Sequence, residues 1–331
     1  MKHQRFVGIT ALAASGLLFA ARPALSQVQE KQVPEGIGGK VYVTSWFGQW
    51  ISVVDLDSGK ATAEIKVGAK NHNVFMSPDQ KQAWVTNYNE GTVSVVDTET
   101  DKVIKTFRTG GGPRHTFLTA DGKYAYVTNE LDANVAVIDA AELRVLTHIR
   151  VGGMPHFAIA VADQLFVSNY MDGNVTVIAR PGHTVVETIS VGAGPLGANA
   201  TRDGKRLYVA CHVANHVAVI DTKTRKVVAR VPTEAGPVQV TVVPNQKYAY
   251  VTADGSGTVE KIDLSENKVV MRIALGDGAG SHGISFAAGG RLLLVTNTGT
   301  STVSVIDAER DEVVKTVPVR GGPEGIAYKR P

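Results

Sequence analysis

Polar and apolar residues alternate in short runs along most of the chain, as in Thr92-Val93-Ser94-Val95, Asn174-Val175-Thr176-Val177 and Thr302-Val303-Ser304-Val305. A period of two sends successive side chains to opposite faces of an extended segment, so each run predicts a half-buried strand. Branched and aromatic residues dominate these runs, as strands favour. Ser58-Gly59, Asp121-Gly122, Asp203-Gly204 and Pro244-Asn245 punctuate them as turns. No amphipathic helix of useful length appears after residue 26.

The runs recur in register. Seven segments begin at Lys40, Gln82, Tyr124, Leu165, Arg206, Tyr248 and Arg291, and each leads into an equivalent position: Thr44, Thr86, Thr128, Ser168, Ala210, Thr252 and Thr296. Those positions are 40–44 residues apart. Each unit continues into a V-x-V-[VI]-D run ending at Asp55, Asp97, Asp139, Asp221, Asp263 or Asp307, with Ala179 in the fourth unit, and then into a Gly-Pro-rich loop. This period is that of one four-stranded blade, so the sequence predicts an all-β, seven-bladed β-propeller over residues 40–331. An open solenoid would carry atypical polar caps at its ends, whereas here the ends are complementary. The first unit starts at the second strand of a blade, and Gly321-Gly322-Pro323-Glu324-Gly325-Ile326 matches an innermost strand. The C-terminal strand should therefore pair into the first blade and close the ring, removing the exposed sheet edges. Pro34-Glu35-Gly36-Ile37 resembles the same stretch, but the three residues between Ile37 and Val41 are too few for an inner strand and its turn.

The Tyr126-Val127-Thr128-Asn129 block, together with V-x-V-[VI]-D and the D-G-K turn, resembles the YVTN-repeat propeller family over residues 40–331. The resemblance implies the propeller and leaves function open. Such proteins include surface-layer proteins, periplasmic binding proteins, lactonase-like enzymes and the propeller domains of nitrite and nitrous oxide reductases. Units five and six depart from the motif, with Cys211 and Ala253 in place of Asn.

Composition changes this picture mainly at the N-terminus. Lys2 and Arg5, the apolar run Val7–Ala20 and the small residues of Ala24-Leu25-Ser26 read as a signal peptide over residues 1–26, cleaved near Ser26/Gln27. A linker over 27–39 would follow. The apolar run is shorter than the ~20 residues of a spanning helix, so no membrane span is expected after cleavage and the protein should be periplasmic or extracellular. The chain has 34 basic and 31 acidic residues; removing Lys2, Arg5 and Arg22 leaves 31 of each. A nucleic-acid partner is therefore not favoured by charge. Cys211 is the single cysteine, so no intrachain disulfide can form, and without Cys-x-x-Cys-His there is no c-type haem attachment.

Candidate chemistry lies on the loops that enter the innermost strands. In ring order the equivalent positions are Glu324, His72, Arg114, His156, Leu196, Val238 and His282, so the five ionisable residues are contiguous once the ring closes. The next residue along includes His115, and the outer-loop ring contributes Tyr88, Glu130 and Tyr170. This predicts a lopsided funnel that binds ligand through His72, Arg114, His115, His156, His282, Glu324, Tyr88, Glu130 and Tyr170. Arg114 suits a carboxylate or phosphate. Histidines supply metal ligands or a base, so His72, His156, His282 and Glu324 form a candidate site for a divalent metal. The many axial histidines of a nitrous-oxide-reductase copper cluster are not present. Cys211, His212 and His216 form a second, weaker metal candidate.

The primary expectation is a monomeric exported propeller that binds a small anionic ligand or a protein on its funnel face. A lactonase-like enzyme and an accessory protein of metal or redox traffic are the alternatives. A propeller fold serves enzymes and binding proteins alike, so function must be argued from the site.

Overall fold

The computed structural model describes residues 38–331; the expected signal peptide and most of the linker lie outside them. No helix among the described residues is long and apolar enough to cross a membrane. The described chain forms seven four-stranded antiparallel sheets. The second blade is typical: Asn71–Met76 is innermost, followed outward by Gln82–Asn87, Thr92–Asp97 and Lys102–Arg108. The first blade is the exception that closes the ring. Its innermost strand is Ile326–Lys329, which pairs antiparallel with Lys40–Val43 in the register Val43↔Ile326 and Tyr42↔Ala327. The Thr44 amide also donates to the Gly325 carbonyl at 3.0 Å.

The alternating pattern is spent between blades. Tyr42, Ile51 and Val53 of the first blade pack with Val74, Ala83, Val85 and Val96 of the second in one core cluster, and similar clusters recur around the ring. Two residues before the repeated Thr position stand Tyr42, Trp84, Tyr126, Phe166, Tyr208 and Tyr250, all buried. Burying each such ring contributes about 1.5–3 kcal/mol. Several also reach the next blade with their polar tip: the Tyr42 hydroxyl donates to Asp101 at 2.5 Å and the Tyr250 hydroxyl to Asp311 at 2.5 Å. The aspartate ending each V-x-V-[VI]-D run caps the following turn, as Asp97 Oδ1 does in accepting the Thr100 amide at 2.7 Å.

The innermost strands converge on the axis, and those of blades two to seven each carry a register shift near their start. In the second blade Asn71 pairs with Asn87 and Val74 with Val85, leaving His72 and Asn73 out of the ladder. Equivalent shifts occur after Pro113, Pro155, Pro195, Pro237 and Ser281. A bulge of this kind bends the strand and re-aims side chains. Here it lies where the inner ring of ionisable residues was expected.

A candidate metal centre in the funnel

The repeated threonine replaces the ladder bonds that the bulge removes. Thr86 Oγ1 accepts the Asn73 amide of its own blade at 2.9 Å and donates to the Arg114 carbonyl of the next blade at 2.9 Å. Thr44 likewise accepts from Gly325 and donates to the His72 carbonyl. Thr128 accepts from His115 and donates to His156. Thr252 accepts from Gln239 and donates to His282, and Thr296 accepts from Gly283 and donates to Glu324. Five threonines thus pin the backbone of His72, Arg114, His156, His282 and Glu324. The two units with Ser168 and Ala210 precede the apolar positions Leu196 and Val238. Glycine after His282 and after Glu324 lets neighbouring strands close in: a Cβ on Gly283 would run into the Glu324 carbonyl oxygen.

The pinned side chains converge. His72 Nε2 lies 3.5 Å from Glu324 Oε2. The His72 ring is 5.0 Å from that of His156 and 5.6 Å from that of His282, edge-on to both. One ligand atom each from His72, His282 and Glu324 lies within 4.8 Å of the others. His72 Nδ1 is 3.0 Å from the Arg114 carbonyl. A carbonyl can only accept, so Nδ1 carries the proton and Nε2 presents its lone pair to the cluster. His72 Nε2, His156 Nε2 and Glu324 Oε2 are all buried without a hydrogen-bond partner. Unpaired buried polar atoms cost about 1–3 kcal/mol each, and those of His72 and Glu324 lie together with a ligand atom of His282.

Burial governs their ionisation. It holds His72 and His156 well below the ordinary histidine range, with the Arg114 charge adding to the effect. It holds His282 at about 4, against the opposing pull of Asp254. It pushes Glu324 up to about 8, with Arg114 pulling the other way. At neutral pH the imidazoles are therefore neutral and the carboxyl is mostly protonated. The cluster carries little charge, three imidazoles and one proton that an arriving cation would displace.

The mouth above has two unlike sides. On one, the Arg114 guanidinium lies between the Trp46 and Tyr88 rings, 5.1 and 4.8 Å from their centroids. Its Nε is ion-paired with Glu130, whose other oxygen accepts the Tyr88 hydroxyl at 3.0 Å. Lys70 Nζ also lies over the Trp46 ring, 5.3 Å from its centroid. On the other side Gly255, Gly280 and Gly299 leave a notch that reaches His282 and Glu324 between Asp254 and Thr298. His212 Nε2 pairs with Asp254 at its edge, at 3.1 Å.

Of the residues expected in the funnel, His72, His156, His282 and Glu324 meet on the axis, and Arg114, Tyr88 and Glu130 form the wall above them. Tyr170 lies on the rim against Gly194. His115 sits one layer down, stacked on Phe157 with centroids 3.8 Å apart, and burial holds it at about 3. The Cys211 thiol is fully buried and pushed up to about 12 by burial, which suits a core residue and not a thiolate ligand. His216 Nε2 bonds the Val191 carbonyl at 2.9 Å while His212 turns to Asp254. That second cluster does not assemble. Trp46, Lys70 and the His212–Asp254 pair are additions to the expected site. Trp46 and the pair belong to the same outer-loop positions as Tyr88 and Glu130, and the repeat alignment marks them.

The family described as lactonase, 7-bladed beta-propeller, matches residues 48–226, and the cytochrome D1 heme domain matches residues 202–329. No curated protein sequence matches the chain. Among solved structures, Kuenenia stuttgartiensis hydrazine synthase is similar with a TM-score of 0.72 at 20% identity, over 79% of this chain and 95% of that one. A functionally unknown protein from Desulfotomaculum acetoxidans DSM 771 gives 0.77 at 16%, over 88% and 99%. Dihydro-heme d1 dehydrogenase NirN in complex with DHE gives 0.68 at 17%, over 90% and 77%. At these identities the structures share the fold.

Proposed function

This chain belongs to the family of seven-bladed lactonase β-propellers, and we propose that it is an exported binding protein, of the YVTN type by its repeat, whose funnel holds one divalent metal ion. The observation that carries this reading is the unpaired donor set: His72 Nε2 and Glu324 Oε2, buried and unpartnered, within 4.8 Å of a ligand atom of His282, with the unpartnered His156 ring 5.0 Å from that of His72. Imidazole and carboxylate together suit Zn²⁺ or another borderline first-row ion. Tetrahedral zinc bonds of 2.0–2.1 Å require ligand atoms about 3.3 Å apart. The ligand atoms of His72, His282 and Glu324 lie within 4.8 Å of one another, so binding would draw them together by up to about 1.5 Å. The carbonyl bond at His72 Nδ1 is the outer support that metal-bound imidazoles ordinarily have. Arg114, with its Nε on Glu130, leaves its terminal nitrogens to fix an anionic group carried by the ligand.

The match to a cytochrome D1 heme domain supports a second reading, in which a tetrapyrrole lies in the funnel. His72 and His156 are 3% and 6% exposed, beneath the Trp46–Arg114–Tyr88 stack. A flat macrocycle would have to use His282, which lines the open notch, and would leave the other two imidazoles unused. The residues fit a bare ion better.

The deciding experiment titrates chelator-treated protein with Zn²⁺ and, separately, with haemin. The metal reading expects one equivalent of Zn²⁺ bound, with roughly one proton released at pH 7 as Glu324 ionises, and binding lost in the His72→Ala, His282→Ala double variant. A haem absorption band that needs His282 alone, with no tight Zn²⁺ site, would replace it with the second reading. Assay of simple lactones with and without the metal tests whether the funnel also turns over substrate.

A further inference from the structure

A second cavity lies beneath the histidine cluster. It has a volume of about 410 Å³ and runs along the axis, with His72, His282 and Glu324 as its roof. Its walls follow from the residues two positions beyond the bulge on each innermost strand. In ring order from the second blade these are Phe75, Phe117, Ile159, Asn199, Thr241 and Ser285. The layer above adds His115 and Phe157 on the apolar side and Gln239 on the polar side. The two sides of the cavity therefore differ: Phe75, Phe117 and Phe157 lie on blades two to four, whereas the amides and hydroxyls come from blades five to seven, alongside Val240, Ile284 and Phe286.

Each wall has unused capacity. Phe75 and Phe117 lie 5.5 Å apart at 50° and His115 stacks on Phe157, which makes a continuous aromatic surface. His115 Nδ1 is buried without a partner, in a residue only 4% exposed. On the facing wall the side chains of Asn199, Gln239 and Thr241 make no hydrogen bond within the described protein. Water can serve the polar wall, but it gains nothing from the aromatic one, and apolar cavities stay dry. One occupant satisfies both: a ring system with hydrogen-bonding groups along one edge. No lysine, arginine or aspartate lines the cavity, and its one carboxyl, Glu324 in the roof, is kept protonated by burial, so a charged ligand would be desolvated without compensation. A dry cavity of about 150 Å³ already accepts benzene, so this one has room for two fused rings.

We infer that the axial cavity is a binding site for an uncharged one- or two-ring aromatic molecule with hydroxyl or carbonyl oxygens on one edge, of the phenol or quinone class. The rings lie on Phe75, Phe117 and Phe157, and the oxygens face Asn199, Gln239 and Thr241. The site is separate from the funnel. It needs no metal, although it shares the roof residues.

The test is calorimetric titration of the full-length protein with 2-naphthol, with and without Zn²⁺. Naphthalene and naphthalene-2-sulfonate are the comparison ligands. 2-Naphthol is expected to bind one to one, at least tenfold more tightly than either. Ser285→Phe, which drives a ring into the cavity, should abolish binding. Thr241→Val, which removes only a hydroxyl, should weaken it three- to tenfold. Both variants should keep the wild-type melting temperature within a few degrees and the wild-type response to Zn²⁺, so a failed metal site and a failed aromatic site give different patterns. No 2-naphthol binding, equal binding of naphthalene, or binding unchanged in Ser285→Phe would overturn the inference.

Discussion

Replacing Glu324 with Gln separates what the carboxyl costs the fold from what it would do for a metal. Burial raises its pKa from the ordinary 4.5 to about 8. The folded protein therefore keeps a proton that the unfolded chain releases above pH 4.5. Stability must fall as pH rises between these values and level off above pH 8. Each tenfold difference in proton affinity is about 1.4 kcal/mol, so the full penalty at pH 9 is at most about 5 kcal/mol. Gln is the shape of the neutral acid and carries no such penalty. The buried histidines titrate in the opposite sense: their folded pKa values are lowered, so stability is lost as pH falls below 6.5. They are common to both proteins and cancel in the comparison. For a domain of this size 1 kcal/mol is about 2 °C. Metal-free Glu324→Gln should melt within 2 °C of wild type at pH 5 and about 4–10 °C above it at pH 9, by calorimetry in chelator. The same variant should bind Zn²⁺ at least a hundredfold more weakly. A melting difference that does not change with pH would refute the placement of an unpaired, proton-holding carboxyl at this point.

Two further outcomes are expected. Thr44→Val removes a hydroxyl that accepts the Gly325 amide and holds the His72 carbonyl; it should cost about 1–3 kcal/mol, seen as a 2–6 °C drop in melting temperature together with weaker Zn²⁺ binding, whereas Thr147→Val, exposed on an outer strand, should stay within about 0.5 kcal/mol. Protein from an exporting host should begin at or near Gln27 by intact-mass measurement, and retention of Met1–Ser26 on the soluble form would contradict the assignment of a cleaved signal.

The blades were legible because one period governs the whole chain, and ring closure followed from counting strands at the two ends. The angular order of the inner ring was legible for the same reason, since equivalent positions in successive units are neighbours on the axis. Depth was not. Strict alternation would send His72 and Asn73, or Arg114 and His115, to opposite faces of their strand. The bulge after Asn71 and after Pro113 lets both residues of each pair approach the axis at different heights. His115 therefore lines the lower cavity. Arg114 bends outward to Glu130 instead of joining the histidines. A bulge has no sequence signature that periodicity can detect, so neither the layering nor the second cavity could be read from the repeat alone.

The repeated threonine explains why the site could be built on this frame at all. A bulge strands two backbone groups near the axis, an amide of its own blade and a carbonyl of the next, and buried groups of this kind must be paired. A hydroxyl serves both at once, as acceptor and as donor. Because the pairing uses only backbone atoms of the pinned residue, its side chain is free to differ from blade to blade at no cost to the ring. The same hydroxyl holds a histidine after Thr44, Thr128 and Thr252, an arginine after Thr86 and a glutamate after Thr296. Where Ser168 and Ala210 interrupt the series, the corresponding positions are Leu196 and Val238, both buried. The ring thus has a sector of five firmly held ionisable residues and a sector of two held by apolar contact. The proposed metal site falls in the first sector, where the threonine hooks fix the backbone that carries its side chains.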